Sequence, residues 1–270
     1  MPLIKKKSNI MHTAAPESSD VLHYEVANLQ GIGKRARQED SFAFVNALDE
    51  EQCRKFGMMF LVCDGMGGMK DGKLASEKAI QCMLENFKAM DRRGMIAEQL
   101  HESVLRAAEE VRVLLDSDGG STLVCGIILN EKLYFASVGD SYLYLLRGGR
   151  LFRMNTEHNI CHLRYLENIR DGSFDKESAQ QDPEAPALSN YLGMPAVPDV
   201  DHSVKPLNLK KGDIIFACSD GIGGVLNEEE ILNAFCAETA NECCSFIEKA
   251  IIGHNVQYQD NYTAVVVRCF

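Results

Sequence analysis

The sequence predicts an α+β fold in which two packed antiparallel β-sheets are flanked on their outer faces by pairs of α-helices. Two observations predict it: short apolar runs bounded by turn residues occur in groups, and long amphipathic patterns occur in pairs between those groups. The sequence lacks the regular alternation of strand and helix that marks a parallel sheet. Its 270 residues, 46% of them apolar, suffice for a domain with a sizeable core.

The N-terminal part of the chain predicts a tail, three strands and two helices. Residues 1–20 mix Lys, Ser, Pro and Thr without apolar periodicity, so we expect a flexible tail followed by one domain over residues 21–270. Apolar residues recur every three or four positions over 74–87 and over 96–115, which predicts two long amphipathic helices. The strands are predicted over 23–29, 41–45 and 57–63.

The middle of the chain predicts an antiparallel meander of strands joined by short turns. The strands are predicted over 121–129, 132–138, 142–147 and 150–154. Residues 156–201 contain four prolines and scattered charges, and they show no sustained period. This stretch, called the flap below, is too long for a plain connection and predicts a functional insertion.

The C-terminal part predicts two strands with two helices between them. Residues 213–219 and 263–268 are apolar and predict the strands. Asn227 precedes three glutamates and predicts a helix N-cap, and a second helix is predicted to begin at Asn241 and end near Gly253.

Composition and local patterns exclude several classes of protein. The net charge of −11 is spread along the chain, which argues against a nucleic-acid surface. The longest apolar run, 123–129, falls far short of the roughly 18 residues of a spanning helix. Polar residues follow Lys5–Lys7, where a signal peptide needs apolar ones. We therefore expect a cytoplasmic protein without nucleic-acid or membrane partners.

Cysteine usage agrees with this expectation. Most of the ten cysteines lie inside apolar runs, where Cys behaves as a small hydrophobic residue. The sequence contains no Cys-x-x-Cys pair, so a zinc ribbon is not expected. The pattern predicts reduced thiols in the core.

Acidic residues recur where an apolar strand meets a polar or glycine-rich turn. The phrase Asp-Gly-x-Gly-Gly follows an apolar run twice, at 64–68 and at 220–224. Further acids in such positions are Glu39, Asp40, Asp140 and Asp260. Because strand ends can converge at one rim of a sheet, these carboxylates can lie close together.

Such a cluster is electrostatically unfavourable without cations. Two carboxylates about 5 Å apart repel by roughly 3 kcal/mol at an effective dielectric constant near 20. Divalent cations relieve this repulsion, and carboxylates, backbone carbonyls and water suit Mg²⁺ or Mn²⁺. A single Asp-Gly is more often an ordinary turn, but several acids at strand ends and a repeated phrase favour a metal centre.

The order of these motifs resembles that of the PPM family, the type 2C metal-dependent protein serine/threonine phosphatases, and the bacterial type in particular. The resemblance covers about residues 24–270. The matching segments are 35–41, 64–68, 119–123, 139–141, 219–221 and 260–263. The family implies an α-β-β-α sandwich and hydrolysis of phosphoserine and phosphothreonine in proteins by direct attack of a metal-activated water. It also implies two to three divalent cations, Mn²⁺ or Mg²⁺, and an antagonistic serine/threonine kinase.

The same resemblance assigns roles to individual residues. Arg35, Glu39 and Asp64 occupy catalytic positions, where Arg35 would bind the phosphate bidentately and Glu39 would hold a metal-bound water. Asp140 corresponds to the aspartate of a third metal. The implied metal ligands are Asp40, Asp64, Gly65, Asp140, Asp220 and Asp260.

The chain departs from the family pattern at three places. Met66 stands where eukaryotic members have His, so a general-acid role is not transferred to it. Tyr142 stands where Arg is usual in the family. His158 lies where many relatives have an Asp-His pair, although a lone loop histidine is usually a polar surface residue.

Three other functions are compatible with parts of the pattern: a phosphatase of a small phosphorylated metabolite, a catalytically silent pseudophosphatase that binds phosphoproteins, and a calcium-stabilised structural domain. A pseudophosphatase is expected to have lost metal ligands, and here every matched acid is present. The sequence discriminates poorly between protein and metabolite substrates.

Overall fold

Helices and strands alternate in groups along the structure, a computed structural model that describes residues 21–66, 71–196 and 198–270. The predicted tail over residues 1–20 and the Gly67-Gly68 end of the first repeated phrase lie outside these ranges. The strands are β1 Tyr24–Gly31, β2 Ser41–Val45, β3 Met58–Cys63, β4 Leu123–Leu129, β5 Lys132–Val138, β6 Tyr142–Arg147, β7 Arg150–Arg153, β8 Asp201–His202, β9 Leu207–Asn208, β10 Ile214–Cys218 and β11 Tyr262–Cys269. The helices are α1 Glu50–Phe56, α2 Gly72–Ala89, α3 Ile96–Leu115, α4 Ile160–Arg170, α5 Lys176–Gln180, α6 Asp220–Gly223, α7 Glu228–Ala234 and α8 Ala240–His254.

The strands form two antiparallel sheets. The first sheet has the order β1-β11-β10-β6-β7, and the second has the order β2-β3-β4-β5-β8 with β9 also paired to β5. Between the sheets lies an apolar layer that includes Val62 of β3, Ile215 of β10 and Val265 of β11. The two strands β3 and β10, which bury both faces, explain the uninterrupted apolar runs in the sequence.

Helices cover both outer faces, as predicted. The apolar stripes of α2 and α3, such as Met83 and Leu100, pack on the second sheet. Helices α7 and α8 pack on the first sheet through residues such as Ile231 and Ile247. The fold is therefore the predicted α+β sandwich of two packed antiparallel sheets flanked by pairs of helices.

Local capping explains where the C-terminal helices begin and end. Asn227 caps α7 as predicted, and its side chain accepts a hydrogen bond from the backbone N–H of Glu230 while the Glu230 side chain accepts one from the Asn227 N–H. The prediction that α8 begins at Asn241 is wrong by one residue, since Thr239 and Glu242 form its capping box. Asn255 adopts the left-handed conformation that ends α8.

The predicted four-stranded meander is also wrong. Strands β4 and β5 pair in the second sheet, whereas β6 and β7 pair in the first. The turn between β5 and β6, which contains Gly139 with φ of +100°, carries the chain from one sheet to the other. Hydrophobic periodicity predicts each strand but not the sheet to which it belongs, because both sheets bury the same kind of face.

The flap contains regular structure that the sequence pattern did not predict. Two of the helices, α4 and α5, lie within residues 156–201, and α4 has no buried residue. Helix α1 likewise has no buried residue, so neither helix packs an apolar face into the core. Among the described residues, no helix is both long and apolar enough to cross a membrane.

Candidate active site

The acids predicted at strand ends meet at one end of the sandwich. In the second sheet Ser41 pairs with Cys63, so Asp40 and Asp64 lie beside each other just beyond β2 and β3. In the first sheet Cys218 pairs with Ala264, which places Asp220 and Asp260 just beyond β10 and β11. Carboxylates from both sheets therefore lie at the same end of the sandwich.

A direct hydrogen bond joins the two sheets at this point. The Ser219 hydroxyl donates to Oδ2 of Asp40 over 2.9 Å, and Ser219 Oγ accepts a hydrogen bond from the backbone N–H of Thr263 over 3.0 Å. Ser219 and Asp40 are both fully buried. Asp40 is therefore held in the floor between the sheets.

A cleft of about 490 Å³ opens above this floor. Every predicted site residue lines it except Asp40, which lies beneath. The predicted residues in its wall are Arg35, Glu39, Asp64, Gly65, Asp140, Asp220 and Asp260. A second cavity, of about 420 Å³, lies around His23 and Glu50 and contains none of them.

Burial and mutual repulsion make these carboxylates reluctant to ionise. Burial, together with the charge of Asp220, raises the pKa of Asp140 to about 7. Burial raises the pKa of Asp40 to about 6 against the opposing hydrogen bonds from Thr263 and Ser219. The pKa of Asp64 lies well above its ordinary value because Asp64 is buried beside Asp40 and Asp220. Burial raises the pKa of Asp220 as well.

The unsatisfied oxygens of this cluster are suited to cations. Oδ1 of Asp40 and Oδ1 of Asp220 are buried without a hydrogen-bond partner among the described residues. Buried carboxylate oxygens without partners are rare, and a divalent cation is the ligand that satisfies them and removes the mutual repulsion. The donor set, which consists of oxygens alone, suits Mg²⁺ or Mn²⁺.

Among the described residues, no group of three or more His, Cys, Asp and Glu side chains is positioned to hold a metal ion. Asp260 pairs with Arg35, and the buried Asp64 faces the charges of Asp40 and Asp220. Cation binding would replace these contacts.

Arg35 and Glu39 lie on the loop between β1 and β2, which Asn261 holds in place. The Asn261 side-chain amide donates to the carbonyls of Ile32 and Arg37 over 2.9 and 3.0 Å. Its Oδ1 accepts a hydrogen bond from the Glu39 N–H over 2.8 Å. The side chain of Arg35 is 52% exposed, so its guanidinium is accessible from the cleft.

The glycines that follow Asp64 and Asp220 are required by close backbone packing. A Cβ on Gly65 would overlap the carbonyl oxygen of Gly72, and a Cβ on Gly221 would overlap that of Asn261. These contacts leave no room for a side chain and fix the turns that present the two aspartates.

The flap supplies the other wall of the cleft. Its lining residues there are Pro186, Ala187, Leu188 and Tyr191. The backbone of Leu192 exchanges two hydrogen bonds of 2.9 and 3.1 Å with Ser121, whose hydroxyl also donates to the carbonyl of Asp64. The flap is thus fastened beside the acid cluster.

The three departures from the family pattern have distinct surroundings. Met66 lines the cleft and brings no titratable group to it. The Tyr142 ring lies beneath the guanidinium of Arg153, with 3.8 Å between the guanidinium carbon and the ring centroid. His158 does not line the cleft, but it contacts the turn before Asp140.

Sequence reasoning assigned no role to Ser219, Asn261 or Thr122. Thr122 Oγ1 accepts a hydrogen bond from the Asp64 N–H over 3.0 Å and shares another with the Ser141 hydroxyl. For Ser219 and Asn261 the available signal was a hydroxyl or amide next to a strand-end acid, whereas Thr122 has no acid beside it in the sequence. Tyr191 and Leu188 gave no such signal, since their place in the cleft depends on the path of the flap.

Comparisons with known proteins agree with this geometry. A family model described as protein phosphatase 2C matches residues 24–170. The serine/threonine phosphatase stp of Listeria monocytogenes serovar 1/2a is 32% identical over 223 residues, which are 77% of this chain and 82% of that protein.

Solved structures show the same fold. The serine/threonine phosphatase of S. agalactiae superposes with a TM-score of 0.75 at 20% identity, covering 91% of this chain and 99% of that one. The catalytic domain of the serine/threonine protein phosphatase PstP in complex with 2 manganese ions superposes with a TM-score of 0.70 at 24% identity, covering 92% and 99%.

Proposed function

The chain belongs to the protein phosphatase 2C family of metal-dependent serine/threonine protein phosphatases, and from that premise we propose that the acidic cleft is its active site. The enzyme hydrolyses phosphoserine and phosphothreonine in protein substrates. The observation that carries the assignment is the convergence of carboxylates from both sheets on one cleft. Oδ1 of Asp40 and Oδ1 of Asp220 are buried there and have no hydrogen-bond partner among residues 21–66, 71–196 and 198–270.

The cleft would hold two to three divalent cations, Mn²⁺ or Mg²⁺. Their ligands would be the Gly65 carbonyl and the carboxylates of Asp40, Asp64, Asp140, Asp220 and Asp260. Bound there, the cations would neutralise the carboxylates, polarise the phosphate and lower the pKa of an attacking water. The two manganese ions of the PstP catalytic domain support this choice of metal.

Arg35 and Glu39 would act on the substrate and the water. Arg35 presents a planar guanidinium at the mouth of the cleft, where it can donate two parallel hydrogen bonds to phosphate oxygens. Glu39 would accept a hydrogen bond from the attacking water and so orient the water oxygen towards phosphorus. The new bond forms between that water oxygen and phosphorus, while the bond from phosphorus to the Ser or Thr oxygen breaks. Met66 has no proton to give to the departing oxygen, which therefore takes its proton from water.

We also propose cytoplasmic action opposite a serine/threonine kinase. All ten cysteines are free thiols and most are buried, which suits a reducing compartment. A phosphatase of this class needs a kinase that produces its substrates. If deletion of the phosphatase in the producing cell left every phosphothreonine level unchanged, that result would contradict the pairing.

The test is hydrolysis of a phosphothreonine peptide by the purified protein in EDTA, Mg²⁺ or Mn²⁺. Wild type should turn over only with metal, and Asp64→Asn and Asp220→Asn should each lose at least about 100-fold in kcat, because each removes a ligand charge. Asp171→Asn, at an exposed position beyond α4, is the matched control and should keep wild-type rates. Turnover in EDTA, or full activity in both site variants, would contradict the assignment. Faster hydrolysis of nucleotide or sugar phosphates than of phosphopeptides would instead indicate a metabolite substrate.

A further inference from the structure

The imidazole of His158 accepts two hydrogen bonds at the same nitrogen. Nδ1 lies 3.2 Å from the backbone nitrogen of Gly139 and 2.9 Å from Nδ2 of Asn190. The first group is an N–H and can only donate. Nδ1 of His158 must therefore carry a lone pair rather than a proton.

The orientation of Asn190 is fixed independently. Its Oδ1 accepts a hydrogen bond from the Asp199 N–H over 3.1 Å, and its Nδ2 donates to the Asp199 carbonyl. Rotating the Asn190 amide by 180° would place its Nδ2 donor against the Asp199 N–H and its Oδ1 acceptor against the Asp199 carbonyl. The amide nitrogen consequently points at His158, and the second partner of Nδ1 is also a donor.

These contacts leave one protonation state for His158: an uncharged ring with its proton on Nε2. Protonation of Nδ1 would set N–H against N–H at both contacts. Burial lowers the pKa of His158, although Asp199 and Asp201 oppose this effect, and the uncharged ring is thereby favoured.

His158 also ties two parts of the site together through its backbone. Its N–H donates to the Gly139 carbonyl over 3.0 Å, and its carbonyl accepts from the Ser189 N–H over 2.9 Å. Gly139 directly precedes Asp140, while Ser189 and Asn190 directly precede Tyr191 in the cleft wall. A shift of the imidazole would move both the acid and the wall.

We propose that His158 is a positioning residue for the phosphatase reaction: its uncharged ring, accepting at Nδ1 from Gly139 and Asn190, fastens the flap to the turn that carries Asp140. This inference rests on the proposed function, since it concerns the cleft in which the reaction occurs. His158 touches neither substrate nor cation and acts through Asp140 and Tyr191.

The test compares His158→Asn with His158→Leu. The two replacements have the same shape, but only Asn carries an acceptor oxygen on Cγ, where His carries Nδ1. Two quantities are measured: kcat/KM for a phosphothreonine peptide with Mn²⁺, and amide hydrogen exchange of residues 189–192 in the metal-free protein. Exchange across β4 serves as the control for global folding.

We expect His158→Leu to lower kcat/KM by at least about tenfold and to speed exchange at 189–192 by a similar factor, because a small displacement of a catalytic group is costly. His158→Asn should retain most of the wild-type kcat/KM and most of the wild-type protection from exchange at 189–192. In wild type, ¹⁵N NMR should find Nδ1 of His158 without a proton.

Three results would overturn the inference, and two of them concern His158→Leu and the wild-type ring. One is a His158→Leu variant that matches wild type in both measurements, and the other is a protonated Nδ1 in the folded wild type. Equal loss in the Asn and Leu variants would also overturn it, because the acceptor would then be irrelevant. If wild type itself lacks metal-dependent turnover, the proposed function fails and the inference falls with it, so the two failures are distinguished by the wild-type rate.

Discussion

The Ser219 hydroxyl donates a hydrogen bond to Oδ2 of Asp40 over 2.9 Å and so connects the ends of the two sheets beneath the cleft. Ser219 directly follows the first-sheet strand β10, and Asp40 directly precedes the second-sheet strand β2. Oδ1 of Asp40 has no hydrogen-bond partner within the part of the chain that the structure describes. One oxygen of this carboxylate is thus held by the protein while the other is free to bind a cation, which explains how a fully buried acid can serve the site.

Replacing Ser219 by Ala should weaken both the fold and cation binding. The change leaves the Thr263 N–H and Oδ2 of Asp40 without their partner, which should cost about 1–3 kcal/mol of unfolding free energy. Loss of a group that orients a ligand should also weaken Mn²⁺ binding by about tenfold. Urea unfolding and Mn²⁺ titration measure the two effects. Ser245→Ala, which removes an exposed hydroxyl on α8, is the control and should change stability by less than about 0.5 kcal/mol.

Asp140 should make the metal-free protein less stable as pH rises. Its pKa is 3.8 in a model compound and about 7 in the folded protein, so the folded state holds the proton more tightly than the unfolded state does. The resulting loss of stability begins near pH 4 and is complete just above pH 7. Asp140→Asn removes this titrating carboxyl. The variant should therefore stabilise the metal-free protein by on the order of 2 kcal/mol at pH 8, with little effect at pH 4.

Thermal unfolding in EDTA at the two pH values measures this difference. With saturating Mn²⁺ the wild type should become more stable than Asp140→Asn, because only the wild type retains the full ligand set. An Asp140→Asn variant that is less stable than wild type in EDTA at pH 8 would contradict the account.

Gly221→Ala should disable the site through steric overlap. The added methyl group would overlap the carbonyl oxygen of Asn261, so the turn that presents Asp220 must shift. We expect a loss of about 1–3 kcal/mol of unfolding free energy together with loss of Mn²⁺-dependent turnover. Gly253→Ala is the matched control: it lies in α8 with open space around it, and should stabilise the protein by about 0.5–1 kcal/mol. Equal stability of the two variants would contradict the packing argument.

Arg35→Lys should weaken phosphate binding without weakening cation binding. A lysine ammonium cannot donate the two parallel hydrogen bonds of a guanidinium, so inhibition by inorganic phosphate should weaken about tenfold or more. Mn²⁺ affinity should hold, because the lysine keeps the positive charge near Asp260 and the change removes no metal ligand. Arg37→Lys, on the same exposed loop, is the control. A parallel fall in the affinities for Mn²⁺ and phosphate would show that Arg35 acts through the metal ligands instead.

Much of the fold could be predicted because burial repeats along the chain. Helix α3 and strands β2, β5 and β6 have the predicted bounds, since each presents a regular apolar face to the core. The partition of the meander between two sheets could not be predicted, because it depends on the turn at Gly139 and not on periodicity. Helices α1 and α4 bury no residue, so they lie outside the core whose burial the apolar patterns report.

The acidic residues of the candidate site could be predicted from the sequence, but the residues that hold them in place could not. Asp64 directly follows a buried strand and Asp220 follows one after a single residue, so both stand out as charges at the end of an apolar run. Ser219 and Asn261 act through contacts with residues far away in sequence, such as the bond from Ser219 to Asp40, and no local pattern encodes such a partner. Tyr191 reaches the cleft only through the path of the flap.

The central claim is that cations bound by this cleft are required for hydrolysis, and titration of Mn²⁺ into one metal-free preparation tests it most directly. Bound Mn²⁺ is counted by electron paramagnetic resonance while hydrolysis of a phosphothreonine peptide is followed in the same samples. The account predicts at least two Mn²⁺ ions per chain, turnover that rises with their occupancy, and loss of both in Asp64→Asn. Turnover that precedes Mn²⁺ binding, or Mn²⁺ binding that Asp64→Asn leaves intact, would contradict it.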